Sequence, residues 1–262
     1  MGAQKQLKQT HHESSTNSEL EYRKHKKPKY FAISESHIKI YVWELPVRIF
    51  HWLNAAAIMF LMITGFYIGK PFVGAAVQEE AYYSFLMGWG RYIHFLAAFI
   101  FIANMVFRLY WFFRGNKYSG SNLFRIIFWK EVWVMLKYYL FVTKEKPHYA
   151  GHNPLAQLSY WIFVGLGSVI AVLTGLYLYF EPQPESFLGG IFMGIAFLIG
   201  EDSFTIRSLH HLLLWSFMLF IVIHIYMSFR DDYLQRNGTM SSIFTGYKTE
   251  PKEVLGEQDD KK

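Results

Sequence analysis

Five histidines fall inside long apolar runs or at their mouths: His51, His94, the adjacent His210 and His211, and His224. An imidazole in hydrocarbon has to be offset by a partner, so an ionisable side chain there marks a functional site by default. For any one of them alone, a helix-packing hydrogen bond or a capped span end is as good an explanation. The arrangement tips the balance. In "SLHHLLLWSFMLFIVIHIY", Ser208–Tyr226, His210 and His224 are 14 residues apart. At about 100° per residue that interval ends about 40° short of four turns, so the two share one helix face, about 21 Å apart along the axis. His211 lies about 140° round the helix from His224 and points sideways, towards another helix or the interface.

Several chemistries can be set against this pattern. The chain contains no cysteine, which excludes disulfides, thiolate iron–sulfur ligation, c-type haem attachment and a thiol nucleophile. A structural zinc needs one compact tetrahedral cluster, and histidines at two depths do not supply it. A proton relay calls for Asp or Glu within the spans, and the apolar runs contain none. Haem iron fits best: neutral imidazoles on two axial positions, in a broad apolar slot lined by aromatic residues. With both axial positions filled, the chemistry is electron transfer rather than oxygen binding.

The elements that must position these residues are four apolar segments long enough to cross a bilayer. They run about Pro46–Ile68, Tyr92–Phe113, Leu155–Phe180 and Ile206–Phe229. The expected fold is therefore all-α, an integral-membrane bundle of four transmembrane helices. A shorter glycine-rich run, Phe187–Ile199, fits a re-entrant or interfacial segment. Leu123–Phe141 carries Arg125, Lys130, Glu131 and Lys137 among its aromatics and reads as an interfacial helix between spans two and three. Residues 1–40 read as a disordered basic tail, 41–230 as the haem-binding domain and 231–262 as a C-terminal tail. Of 26 Lys and Arg residues, 23 fall on the side that holds both tails and the loop after span two. That bias puts both termini in the cytoplasm. It also explains the net charge of +6 as membrane topology, without a nucleic-acid partner.

With that orientation the histidines sort by depth. His94 and His210 or His211 lie towards the outer face on spans two and four; His51 and His224 lie towards the inner face on spans one and four. Two pairs at two depths are what a four-helix bundle needs to hold two stacked cofactors. Arg48, Arg91 and Arg207 stand at span ends, where haem propionates would emerge or where arginine merely snorkels to headgroups. Gly65, after Thr64, and Gly165, Gly167 and Gly175 allow close approach of a haem face or of a neighbouring helix.

These residues carry a family resemblance. "RIFHWLNAAAIMFLMITG", Arg48–Gly65, and "RSLHHLLLWSFMLFIVIHIY", Arg207–Tyr226, closely resemble the two signatures of the b-type cytochrome subunit of membrane-bound nickel–iron uptake hydrogenases. "RDDYLQRNGTMSSIFTGYK", Arg230–Lys248, is similar to that family's cytoplasmic tail, and "GHNPLAQLSY", Gly151–Tyr160, to its third-span start. The resemblance spans about Tyr41–Lys248. It implies two b haems, ligated by His94 with His210 on the outside and His51 with His224 on the inside. It further implies hydrogenase partners, a small iron–sulfur subunit and a large nickel–iron subunit, whose electrons pass to quinone in the cell inner membrane. Arg48 and Arg207 are candidate propionate partners. In related formate dehydrogenase cytochromes quinone binds beside the inner haem, near the loop before span three, which here offers His148, His152, Asn153 and Gln157; ordinary solvated loop histidines are the alternative. No motif on this chain performs hydrogen chemistry, which must sit on partner chains. The tail after Arg230 argues against the cytochrome of a formate dehydrogenase or thiosulfate reductase, and the paired-depth histidines against a transporter or haemless scaffold.

The same-face argument makes a direct prediction. His210→Ala loses one haem and His211→Ala retains both, as measured by haem content of the purified variants. A loss that follows His211 instead would contradict it.

Overall fold

A computed structural model describes residues 30–34, 36–72, 85–116, 118, 123, 125–144, 147, 149, 151–196 and 202–252. The polar stretch before residue 30, with its basic cluster, and His148 lie outside the described residues. Each long apolar run becomes one helix: α1 (Leu45–Gly69), α2 (Leu86–Arg114), α4 (Pro154–Phe180) and α6 (Ser203–Gln235). Their 25 to 33 residues exceed the roughly 20 that an α-helix needs to cross the apolar slab. Between α2 and α4 lies α3 (Ile126–Tyr139), and between α4 and α6 lies α5 (Phe187–Ala196). At 14 and 10 residues both are too short to span.

The bundle is oily outside and selectively polar inside. Leu212, Leu219, Val222, Phe60 and Ile63 face outwards, while Thr64, Asn104, Ser168 and Thr174 are buried. In lipid, apolar residues need no hiding, and helices associate through close packing and interhelical hydrogen bonds. The α1–α2 contact shows both. Asn104 of α2 donates through Nδ2 to the Phe50 carbonyl oxygen at 2.9 Å and to Asn54 Oδ1 at 3.2 Å. At the bundle end, Glu44 Oε2 accepts from Trp111 Nε1 and from the Asn116 backbone N–H, each at 3.0 Å.

Helix α4 begins on a cap: Asn153 Oδ1 accepts from the Ala156 N–H at 2.8 Å, and Pro154 follows directly, a pairing suited to a helix start. It is not α-helical throughout. Residues Tyr160–Leu166 form a π-helical segment before α geometry resumes at Gly167. Such wide turns shift the phase of the side chains beyond them and gather at functional sites.

The bundle carries one element that the helical pattern did not foreshadow, a small antiparallel sheet at one end. Strand β1 (Tyr30–Ala32) pairs with β2 (His37–Tyr41), and β2 pairs with β3 (Tyr247–Pro251), which follows a short helix α7 (Thr239–Thr245). In register, Tyr41 faces Tyr247 and His37 faces Pro251. The strands fall in the segments read as N- and C-terminal tails, and they place both at the same end of the bundle. Ile38, Ile40, Val42, Trp43 and Val47 form a buried cluster beneath the sheet. Lys248 and Glu250 are also buried there, Glu250 accepting from Asn237 Nδ2 at 3.1 Å. Burial lowers the Lys248 pKa, and the Glu250 and Asp232 carboxylates oppose that shift.

Gly246 makes the turn into β3. Its φ is +88°, and a Cβ there would lie 2.5 Å from Tyr41 Cε2 and 2.7 Å from the Trp43 carbonyl oxygen. A side chain at such a φ costs more than about 1 kcal/mol. Gly246→Ala is therefore expected to loosen β3 and speed tryptic cleavage after Lys248; an unchanged cleavage rate would count against this anchoring.

Candidate functional site

The four histidines expected as ligands meet as two facing pairs. At the end away from the sheet, His94 of α2 faces His210 of α6 with ring centres 6.3 Å apart. Nearer the sheet, His51 of α1 faces His224 of α6, also at 6.3 Å. Two imidazoles that share one metal between them need metal–nitrogen bonds of about 2.0 Å, and about 1.1 Å more from each nitrogen to its ring centre, or about 6.2 Å in all. Both pairs have that separation, and α6 supplies one histidine to each.

The far-end pair is held the same way on both sides. His94 Nδ1 lies 2.9 Å from Thr64 Oγ1, and His210 Nδ1 lies 2.8 Å from Thr174 Oγ1. Each hydroxyl donates its own proton one turn back, Thr64 to the Phe60 carbonyl at 2.6 Å and Thr174 to the Ile170 carbonyl at 2.7 Å. With that proton committed, each threonine oxygen accepts from the imidazole, so Nδ1 carries the hydrogen and Nε2 keeps a bare lone pair. Glycine follows each threonine. A Cβ on Gly65 would lie 3.6 Å from His94 Cε1, and one on Gly175 would lie 3.1 Å from His210 Cε1. Gly175 thus makes room for its imidazole, while at Gly65 the tighter neighbour of such a Cβ is Leu214 Cδ1 at 3.3 Å.

The far-end rings open into a cavity of about 1020 Å³ between α1, α2, α4 and α6. Its walls are apolar, with Leu61, Ile102, Val172 and Phe217 among them, and its polar rim includes Arg91, Arg207 and His211. The space is large enough for a drug-sized or larger planar ligand. Arg207 also pairs with Glu181. His211 does not face His94; it packs edge-on to Phe66 and against Gly69, as the helix angle predicts.

The sheet-end pair is supported differently. His224 Nδ1 lies 3.1 Å from the Tyr160 hydroxyl, and its ring stacks on Phe220 at 5.6 Å with planes 7° apart. His51 lies edge-on to Trp52, and its buried Nδ1 has no hydrogen-bond partner among the described residues. Arg48 donates to the Phe244 carbonyl of α7, which ties the start of α1 to the tail. Arg108, inside α2, stands over the Phe50 ring, 4.9 Å from its centre.

Beside this pair runs an aromatic ladder. The Trp43 and His152 rings are 4.5 Å apart, His152 and Tyr160 are 4.7 Å apart, and Tyr160 reaches His224. His152 is exposed, yet its ring is crowded by those of Trp43 and Tyr160. That crowding, and then the Lys248 charge, hold its pKa well below the ordinary imidazole value, so the ring is neutral. Asn153 caps α4 and also hydrogen-bonds Tyr139 of α3, and Gln157 Nε2 donates to the His152 carbonyl at 3.0 Å. Sequence reasoning did not single out Tyr160 or assign Thr64 and Thr174 a role. The Thr-Gly dipeptides within spans, at 64–65 and 174–175, were the available signal for the threonines; the third, at 245–246, lies outside the spans.

The donor set suits haem iron. Each pair offers two neutral nitrogens on opposite sides of a gap, and no cluster of three or more metal-ligating side chains exists among the described residues, as a closed zinc site requires. Comparison with known proteins agrees. Residues 42–246 match the family model for prokaryotic cytochrome b561. The chain is 39% identical over 214 residues to the "Probable Ni/Fe-hydrogenase B-type cytochrome subunit" of Cupriavidus necator, covering 80% of this chain and 86% of that one. It is 35% identical to the protein of the same name from Rhodobacter capsulatus, covering 80% and 81%. Against the "Probable Ni/Fe-hydrogenase 1 B-type cytochrome subunit" of Escherichia coli K12 it is 36% identical over 222 residues, covering 82% and 93%. With four membrane-length helices and imidazoles paired across their core, the chain belongs to the prokaryotic cytochrome b561 family.

Proposed function

We propose that this chain is the membrane anchor and electron-transfer subunit of a nickel–iron hydrogenase, and that it carries electrons to the quinone pool. The observation that carries the reading is the pair of facing imidazole couples, both at 6.3 Å, strung along α6. They stand about 21 Å apart along that helix by its rise per residue. His94 and His210 would hold one b haem and His51 and His224 the other. A haem ligated on both faces supplies one-electron exchange with no open coordination position.

Sidedness follows from the Lys and Arg bias: the sheet end is cytoplasmic and the far end faces outwards, in the cell inner membrane. Electrons would arrive at the far end from the iron–sulfur subunit that accompanies the nickel–iron subunit, and would leave near the sheet. Arg91 and Arg207, on the rim of the far cavity, suit the propionates of the outer haem. Arg48 and Arg108 are the corresponding guanidinium groups near the inner pair.

Reduction of a quinone to quinol takes two electrons and two protons, so its site needs a hydrogen-bond donor close to the inner pair and open to the cytoplasm. His152 answers this best of the loop candidates. It is neutral, keeps an N–H, is exposed and packs directly on the Tyr160 ring. Asn153 and Gln157 would shape the site through the backbone they hold.

The route can be tested in the purified complex. His94→Ala should leave the inner haem reducible by dithionite yet abolish its rapid reduction by hydrogen, because the outer site has been removed from the path. Hydrogen-dependent reduction of the remaining haem at the unaltered rate would overturn the proposed order.

A further inference from the structure

Thr64-Gly65 and Thr174-Gly175 are the same dipeptide on two different helices, and each meets the histidine of the helix beside it. The threonine sits on Nδ1 and the glycine lies against the ring edge. The two halves of the far-end site therefore repeat one device. The sheet-end site lacks it: His224 has the Tyr160 phenol on Nδ1, and His51 has no Nδ1 partner among the described residues.

We propose that Thr64 and Thr174 are positioning residues of the outer haem that set its reduction potential through the imidazoles, an inference that rests on the two-haem reading above. The argument starts from the hydroxyl proton. Because each threonine donates to its own helix, at 2.6 and 2.7 Å, its oxygen can only accept from Nδ1–H. That fixes the tautomer, aims the Nε2 lone pair into the gap and stops the ring from flipping. An acceptor on Nδ1–H also raises the basicity of the ligating nitrogen. A more basic axial ligand favours ferric over ferrous iron, and so lowers the potential. Both outer ligands carry this acceptor. Of the inner ligands one has a phenol, a poorer acceptor than an alkyl hydroxyl, and the other has no Nδ1 partner among the described residues. The chain thus biases its outer site towards giving up electrons, the direction that delivers them to the sheet end.

Thr64→Val, Thr174→Val and the double variant keep the shape and remove the hydroxyl; Thr64→Ser and Thr174→Ser keep the hydroxyl. Potentiometric titration with optical and electron paramagnetic resonance detection reads each haem separately. The expected result is an upward shift of the outer haem potential in each valine variant, larger in the double variant, with an altered ligand-field signal. The inner haem should be unmoved, and the serine variants should match the parent. Loss of the outer haem from valine variants but not from serine variants also supports the positioning role. Unshifted potentials with full haem content in the valine variants overturn it, as does any change that serine shares with valine. If the parent chain shows a single b component, the two-haem reading fails separately. The threonine proposal is then decided on that component, where an unmoved potential overturns it.

Discussion

A neutral imidazole inside an apolar slab is costly wherever a nitrogen is left unmatched, and most of this structure is arranged to limit that cost. An unpaired polar group in hydrocarbon costs several kcal/mol, against an average of about 0.6 kcal/mol for an interhelical hydrogen bond measured in a membrane bundle. The imidazoles are therefore held in place chiefly by the cost of leaving them unmatched. Three of the four facing histidines have a hydroxyl on Nδ1, and for His94 and His210, whose threonines donate elsewhere, this leaves Nε2 bare. The inward position of Thr64 and Thr174, the absence of a side chain at Gly175, and the apolar walls of the far cavity all serve that geometry.

The same constraint explains why the two ends of the bundle differ. At the far end the threonines lie within transmembrane helices, and the site opens into a mostly apolar cavity with arginines at its rim. At the sheet end, His152, Trp43 and Tyr160 connect the His51–His224 pair to a polar layer of strands and loop. That layer is tied down by Trp43 Nε1 donating to Ser242 Oγ at 3.1 Å, by the Arg48 bond to Phe244 and by the β2–β3 ladder. A site that exchanges only electrons can be closed off by helices. One that also took up protons would need a route to water, and at the sheet end the described residues place the exposed His152 in ring contact with Tyr160, which reaches His224.

Much of this was legible in the amino-acid order. The four spans follow from length and apolarity, and the pairing follows from the 14-residue interval between His210 and His224 combined with depth. The sideways placement of His211 follows from the helix angle. Three things were not legible. The sheet joins short charged strands more than 200 residues apart in the chain, and nothing local announces that Lys248 and Glu250 are buried. The π-helical turn at Tyr160–Leu166 changes which residues of α4 face inwards, and no periodicity assuming a uniform helix could anticipate it. The third is Tyr160, whose place between His152 and His224 depends on the loop before α4 and on that turn.

The central claim is that this chain holds two haems, each between two histidines. Quantifying protohaem against protein in the purified, full-length chain, alongside its reduced-minus-oxidised spectrum, tests it most directly. The account predicts two b haems per chain, both with the spectrum of low-spin iron ligated by imidazole on each face. A chain with one haem, or with none, would contradict it.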